Sequence, residues 1–392
     1  EEGKAILARM AKVEDLPVDQ LIAATDLPQR YIPLPDETTF VEACCHSDVF
    51  RPKSIFVPVT AGAASGLFEI ELASGQLTKR CALPGDGQYF GAKMGHDGEC
   101  YMLFVGNDPL KQTGKVYSCD LTADVPTAGM IVELPLPYQP NDIAIDRSRG
   151  RLLIAAYEQT YNLLTTRGQV LNTLMIAAKR SSKIFMAPTS GGAPDVFASG
   201  FNALAGAVVC ESDNSLWLSE LHNLARVPLN DPKNWERVSP FNPELLADNM
   251  EVEGDEVLFP FYRRCVGAKT MTNIMACQPL VGCLFGLAKC LWKPPAKVGS
   301  VDAVGEAAPA EAPADEFEDV CWGRYNVKTG AFSAMRVDIT NTKFDGHCTH
   351  LEKVGTELIF VNYLKKEILV VDIAGQADVQ EGRKLSCEKS TS

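Results

Sequence analysis

The chain carries none of the short signatures that assign a chemistry outright. It has no Gly-x-Ser-x-Gly elbow, no P-loop, no Gly-x-Gly-x-x-Gly following a strand and no His-Glu-x-x-His. A serine-hydrolase elbow, a nucleotide cradle, a dinucleotide fold and a zincin are therefore all without support. Cysteine is plentiful at 13 residues, yet no Cys-x-x-Cys pair and no finger-type Cys/His spacing occurs, so a structural zinc site is not expected from the pattern. The odd number leaves at least one thiol unpaired within the chain, and the redox compartment is not decided by it. Positive charge is also short: 37 Lys and Arg against 50 Asp and Glu give a net charge of −13. Nucleic acid and anionic membrane surfaces, which are polyanions, are poor partners for such a surface. No Asn-x-Ser/Thr sequon is present to mark a glycosylated exported protein. The first residue is Glu1 rather than Met, which points to removal of a leader and slightly favours a secretory or organellar lumen.

What is present is a repeat. Short hydrophobic segments with strand character come in pairs joined by turns: 54–59 with 66–72, 100–106 with 114–121, and 150–156 with 183–188. The series continues with 215–221 and 224–229, then 256–262 completed only at 322–327, then 357–363 and 367–373. Six copies of one four-stranded unit with long connections predict an all-β fold, a six-bladed β-propeller. A β-sandwich is the structural alternative. Cys100, Cys119 and Cys210 fall on these strands, where a cysteine serves as a small buried hydrophobe.

Two regions depart from the repeat. Residues 1–36 carry Ala5, Ile6, Leu7, Met10, Leu21 and Ile22 near helical spacing and end in prolines 28, 33 and 35, which predicts an N-terminal helical extension. The propeller then occupies 37–392, with an insertion over 268–319 inside blade five. Within it, 271–292 is strongly apolar but broken by Gln278, Pro279, Gly282, Gly286 and Lys289. A helical insertion offering a membrane or protein contact fits better than a membrane span. Residues 303–319, rich in Ala, Pro and Glu, read as a flexible acidic linker.

The inner strands of a propeller all begin at one end of a central channel, so residues far apart in sequence converge there. Several of those strand starts carry oxygen donors. Glu42 precedes blade one, Asn141 and Asp142 precede blade three, Asp248 and Asn249 precede blade five, and Asp345, His347 and His350 precede blade six. Six to eight carboxylate and amide oxygens suit a hard cation such as calcium. Singly, each of these residues is equally a turn or a strand cap.

PNDIAID followed by GRLLIA, then LWLSELHNLARVPL, then DNMEVEGDEVLFPFYRR resembles, in this order, the strictosidine synthase-like and paraoxonase superfamily. The match in order and spacing runs from about residue 40 to 373, and the insertion in blade five resembles the strictosidine synthase-like branch. The resemblance implies a six-bladed propeller with axial calcium, held here by Glu42, Asn141, Asp248 and Asn249. It also implies hydrolysis of an ester or lactone, as in arylesterases and lactonases. Departures accompany it. Ala205 stands where the family has a fourth-blade asparagine, and Asn202 lies three residues early. Ala43 replaces an acidic ligand of a second calcium, leaving Asp142 alone there. Phe90 and Asp108 take the places of the lactonase histidines, while His96 lies in a turn. Thr349 replaces the glutamate of true strictosidine synthases, so alkaloid condensation is not expected. His347 and His350, a His-x-x-His pair expected beside the channel mouth, are the residual catalytic candidates, as a base or a weak metal pair, or else simply solvated. Cys-His catalysis from Cys45–His46 or Cys348 with His347 has only sequence adjacency behind it. The reading is a calcium-dependent hydrolase acting on a small ester or lactone, with a non-catalytic docking propeller as the alternative.

Overall fold

All six segment pairs expected from the sequence are antiparallel neighbours in the computed structural model. It describes residues 22–24, 27–106, 114–159, 180–220, 223–238, 245–263, 319–338, 348–362 and 366–374. Two strands precede the first blade, β1 (Ile22–Ala24) and β2 (Gln29–Pro33). Blade one is β3 (Ser54–Val59), β4 (Gly66–Glu71) and β5 (Leu77–Ala82). Its inner edge is the segment 40–45, held on β3 by bridges Phe40–Thr60 and Cys45–Phe56. Blade two is β6 (Gly87–Met94), β7 (Glu99–Gly106), β8 (Gly114–Asp120) and β9 (Ala128–Glu133). Blade three is β10 (Tyr138–Asp146), β11 (Arg151–Glu158), β12 (Ser182–Pro188) and β13 (Asp195–Phe201). Blade four follows with β14 (Gly206–Cys210), β15 (Ser215–Ser219), β16 (Leu224–Pro228) and β17 (Glu236–Val238).

Blade five has an interrupted inner edge. β18 (Leu245–Ala247) and β19 (Glu251–Glu253) both pair with β20 (Glu256–Arg263), which is followed by β21 (Asp319–Asn326) and β22 (Phe332–Asp338). Blade six is β23 (His350–Val354), β24 (Glu357–Asn362) and β25 (Glu367–Asp372). The segments that read as hydrophobic runs are the second and third strands of each blade, not the inner ones. Second strands are covered on both faces by neighbouring blades, so they are apolar throughout; β3, β7 and β15 are buried along nearly their whole length.

Ring closure comes from the N-terminal segment, which corrects the helical expectation where that segment is described. β2 pairs antiparallel with β25, Gln29 opposite Val371 through Pro33 opposite Glu367, and becomes the outer strand of blade six. β1 adds in parallel to β22 at the edge of blade five. An open edge on the apolar sequence of β25 would be a pairing liability, and β2 covers it. Prolines 28, 33 and 35, read as helix stops, instead sit in and beside an extended strand, and the boundary expected at 36/37 falls just after that outer strand. The helical spacing read over 1–20, and the insertion from 268 to 318, lie outside the described residues; Asp319 already opens β21.

Six apolar clusters occupy the six blade interfaces. One joins blades one and two through Phe56, Leu67, Tyr89 and Met102, and another joins blades six and one through Ile32, Val57, Ile359 and Val370. Blades four and five meet through Trp217, Phe259 and Phe261. Full burial of each such side chain stabilises by about 1.5–3 kcal/mol. An uninterrupted ring of interfaces is what a closed propeller has and a sandwich lacks. Cys44, Cys45, Cys81, Cys100, Cys119, Cys210, Cys321 and Cys348 are all buried as free thiols. Among the described residues no helix is long and apolar enough to cross a membrane.

Candidate metal centre in the axial channel

Three of the inner strands are irregular, whereas those of blades four and six pair in unbroken register. β6 has a bulge between Tyr89 and Ala92, β10 between Pro140 and Asp142, and blade five breaks between β18 and β19 at Asp248–Met250. Bulges of this kind turn a side chain out of the ladder toward the axis. Contacts between successive inner edges then close a ring. Phe40 and Phe90 meet at 5.2 Å between centroids, linking blades one and two. Asn141 Nδ2 donates to the carbonyls of Leu204 and Ala205 at 3.1 and 3.0 Å, linking three and four. The Asn249 backbone N–H donates to the Thr349 carbonyl at 3.1 Å, and Thr349 Oγ1 donates to the Glu42 backbone carbonyl at 3.1 Å, which joins blades five, six and one.

Two glycines permit this approach. A Cβ on Gly206 would stand 2.4 Å from the Asp248 carbonyl oxygen and 3.1 Å from Asn249 Cα, so only glycine lets blade four lie against that turn. One on Gly91 would come within 3.1 Å of Asp142 Oδ1.

The sequence-derived oxygen set converges on this ring. Glu42 and Asp248 are buried, Asn249 is fully buried and Asn141 half-buried. Burial, then Asp248 and Asp142, push the Glu42 carboxyl well above the carboxylate range, which places Glu42 in the field of both aspartates. Both amide protons of Asn141 point to blade-four carbonyls, which leaves Oδ1 as its free ligand atom. Asn249 Oδ1 and Nδ2 find no hydrogen-bond partner among the described residues. An unpartnered buried amide costs about 1–3 kcal/mol, and clustered buried carboxylates repel. Both penalties are relieved by a hard divalent cation on oxygen, so the residues fit such an ion. Donors come from blades one, three and five. Blades two, four and six present Phe90, Ala205 and Thr349, whose hydroxyl is already spent on Glu42.

Below this ring lies a second polar layer that residue-by-residue reading missed. Lys93 Nζ donates to the Met250 carbonyl at 2.7 Å and to Glu251 Oε2 at 2.8 Å. Burial opposes the ammonium charge, but Glu251, Asp142 and Glu352 outweigh it and hold Lys93 above its ordinary value. Asp142, fully buried, accepts from the amides of Ile143 at 2.8 Å and Ala207 at 2.7 Å. Its burial drives the carboxyl up to about 7 against the pull of Lys93 and those amides. Asp142 thus has both oxygens committed to the scaffold, with a lysine as its neighbouring cation. The missed residues did leave a signal in period 2: Glu42, Cys44 and His46; Asn249 and Glu251; His350 and Glu352.

The catalytic candidates fall differently from expectation. His350 opens β23 and is fully buried, with Cys44, Glu352 and Lys93 as its surroundings rather than the channel mouth. Burial, then Lys93, keep its imidazole neutral to well below the ordinary value. His347 and Asp108 lie outside the described residues, and His96 is exposed in a turn as expected. Tyr157, half-buried and level with the start of β10, is pushed up to about 12 by burial and Glu42, so its hydroxyl stays protonated.

No protein-family model and no curated protein matches the chain by sequence. Solved structures do match it by shape. The crystal structure of a calcium-binding protein, regucalcin, from Agrobacterium tumefaciens superposes with a TM-score of 0.51 at 13% identity, over 89% of this chain and 95% of that one. An oligogalacturonate lyase in complex with manganese does so with a TM-score of 0.50 at 10% identity, over 90% and 95%. At these identities the likeness is one of fold.

Proposed function

We propose that the chain is a calcium-dependent propeller hydrolase of the strictosidine synthase-like and paraoxonase kind, acting on an ester or lactone at the channel end that carries Glu42, Asn141, Asp248 and Asn249. The observation that supports it is the fully buried, unpartnered amide of Asn249 beside crowded carboxylates. That both a calcium-binding protein and a manganese-bound lyase share the shape agrees with a divalent ion on the axis. Calcium bound there would polarise a substrate carbonyl and stabilise the oxyanion that develops from it.

The chain's own residues account for the rest. Phe40 and Phe90 form an apolar wall at the mouth, which holds the acyl part of a substrate and keeps water from the oxygens. The Tyr157 hydroxyl, protonated throughout the neutral range, is a hydrogen-bond donor beside Glu42. Thr349 Oγ1 and the Asn141 amide fix Glu42 and the ligand oxygen of Asn141 without being consumed. His350 being buried and neutral, the role of imidazole base is assigned by this reading to His347, which lies outside the described residues, and Glu42 is the described carboxylate beside the channel that can accept a proton.

Chelator-stripped protein, titrated with calcium by calorimetry and assayed on aryl esters and lactones, tests the reading. One equivalent of calcium, with turnover that follows calcium occupancy and is lost in Asp248→Asn, is expected. Calcium binding without turnover on any ester or lactone would overturn the hydrolase. It would favour a docking propeller, the reading that the apolar character of 271–292 in the sequence suggests.

A further inference from the structure

One layer below the oxygen ring, three side chains of a different chemical kind converge. The Cys44 Sγ, a ring nitrogen of His350 and a carboxylate oxygen of Glu352 lie within 4.8 Å of one another, and all three residues are buried. They come from the inner edges of blades one and six, two residues along from Glu42 and one and three along from Thr349. Neither ring nitrogen of His350 has a hydrogen-bond partner, and neither has Glu352 Oε2. His350 Nε2 and Glu352 Oε2 stand 3.5 Å apart. That is too long for a good hydrogen bond. It equals the edge of a tetrahedron around a metal with bonds of about 2.0–2.2 Å to nitrogen and oxygen.

A fully buried imidazole with both nitrogens idle is costly, and nothing among the described residues of the layer satisfies it. The neighbouring cation does not, since Lys93 is already committed to Glu251 and the Met250 carbonyl. Sulfur, imidazole and carboxylate together are a borderline-soft donor set, which selects zinc-class transition metals and is wrong for calcium. Thiolate and carboxylate would also cancel the charge of a divalent ion.

We propose that Cys44, His350 and Glu352 form a second metal site, of the zinc class, with a fourth position left for water. On binding, the Cys44 thiol loses its proton to solvent and the metal takes its place. The site is separate from the axial oxygen ring and does not rest on the hydrolase reading.

The full chain, freed of metal by a chelator, is titrated with Co2+ and followed by visible and near-ultraviolet absorption. Zn2+ is then added against a chromophoric chelator, with calcium in excess throughout. One equivalent of Co2+ should give a thiolate-to-metal charge-transfer band and the d–d bands of four-coordination, and Zn2+ should abolish both. The bands should vanish in Cys44→Ser and His350→Gln and persist in Asp248→Asn, which removes only the oxygen ring. Because Cys44 is in the core, Glu352→Gln serves as the second variant, with circular dichroism confirming its fold. It should weaken Zn2+ binding by more than the roughly 10–100-fold that loss of an outer-sphere partner costs. A folded wild type without the charge-transfer band, or a band that survives in Cys44→Ser, overturns the proposal.

Discussion

Removal of the proton from Asp142 gives the sharpest test of the channel's electrostatics. The side chain is fully buried and its carboxyl is raised from 3.8 to about 7, chiefly by burial. The folded protein therefore holds this proton more tightly than the unfolded chain does. Stability is fully present below about pH 4, is lost progressively as pH rises, and levels off above about pH 7. Each tenfold in proton affinity is about 1.4 kcal/mol, so the span of roughly three pH units amounts to about 4 kcal/mol. Glu42 and Glu352, both raised by burial and by neighbouring carboxylates, slope the same way. His350 slopes oppositely: its neutral form is favoured in the fold, so its contribution is lost as pH falls below about 6.5. Urea denaturation of chelator-treated wild type and Asp142→Asn, compared across this pH range, isolates the Asp142 contribution. The variant should gain on the wild type by about 4 kcal/mol between about pH 4 and 7, after a constant offset for the one carboxylate oxygen it loses as acceptor of a backbone N–H. Saturating calcium should add about 2.7 kcal/mol at a hundredfold excess over its Kd and flatten the part of the slope that comes from Glu42, whose proton the ion replaces. A gap between the two proteins that is flat with pH, or moves the other way, would refute a buried carboxylate of this kind.

Other perturbations follow from the same geometry. Gly206→Ala pushes a Cβ into the Asp248 carbonyl, so calorimetric calcium affinity should fall and the melting temperature with it. Lys93→Met leaves Glu251, Glu352 and Asp142 without their buried cation and should cost about 3–5 kcal/mol in urea denaturation near neutral pH. Trp217 packs on Tyr325 at 5.2 Å and donates Nε1–H to Asp213 Oδ2 at 3.2 Å, so Trp217→Ala should destabilise the interface of blades four and five by about 3–5 kcal/mol.

Much of the fold was legible because second strands are covered on both faces and must be apolar from end to end. SIFVPV, CYMLFVG and ELIFVNY announce themselves in this way. Inner strands were harder. QPNDIAID is half polar, bulged and short of pattern, and blade five has its inner strand in two pieces. The prolines near residue 30 misled for a related reason: they are equally compatible with the end of a helix and with an edge strand. That β2 completes blade six depends on β25, more than 330 residues away, having an open edge.

The oxygen donors show the same division. The repeat, by putting equivalent positions at equivalent heights, nominated a wider set of strand-start donors, and the family resemblance narrowed it to Glu42, Asn141, Asp248 and Asn249. Which atoms are free could come only from packing: the Asn141 amide protons taken by blade-four carbonyls, and the Asn249 amide left alone. Cysteine spacing argued against a structural zinc site and was silent about Cys44, His350 and Glu352. Those ligands are local neighbours only on the axis, where closure of the ring brings the first blade against the last. Sequence thus determined the repeat and its polar strand starts, whereas ring closure decided which of those residues share a desolvated space, and desolvation is what turns a polar side chain into a ligand.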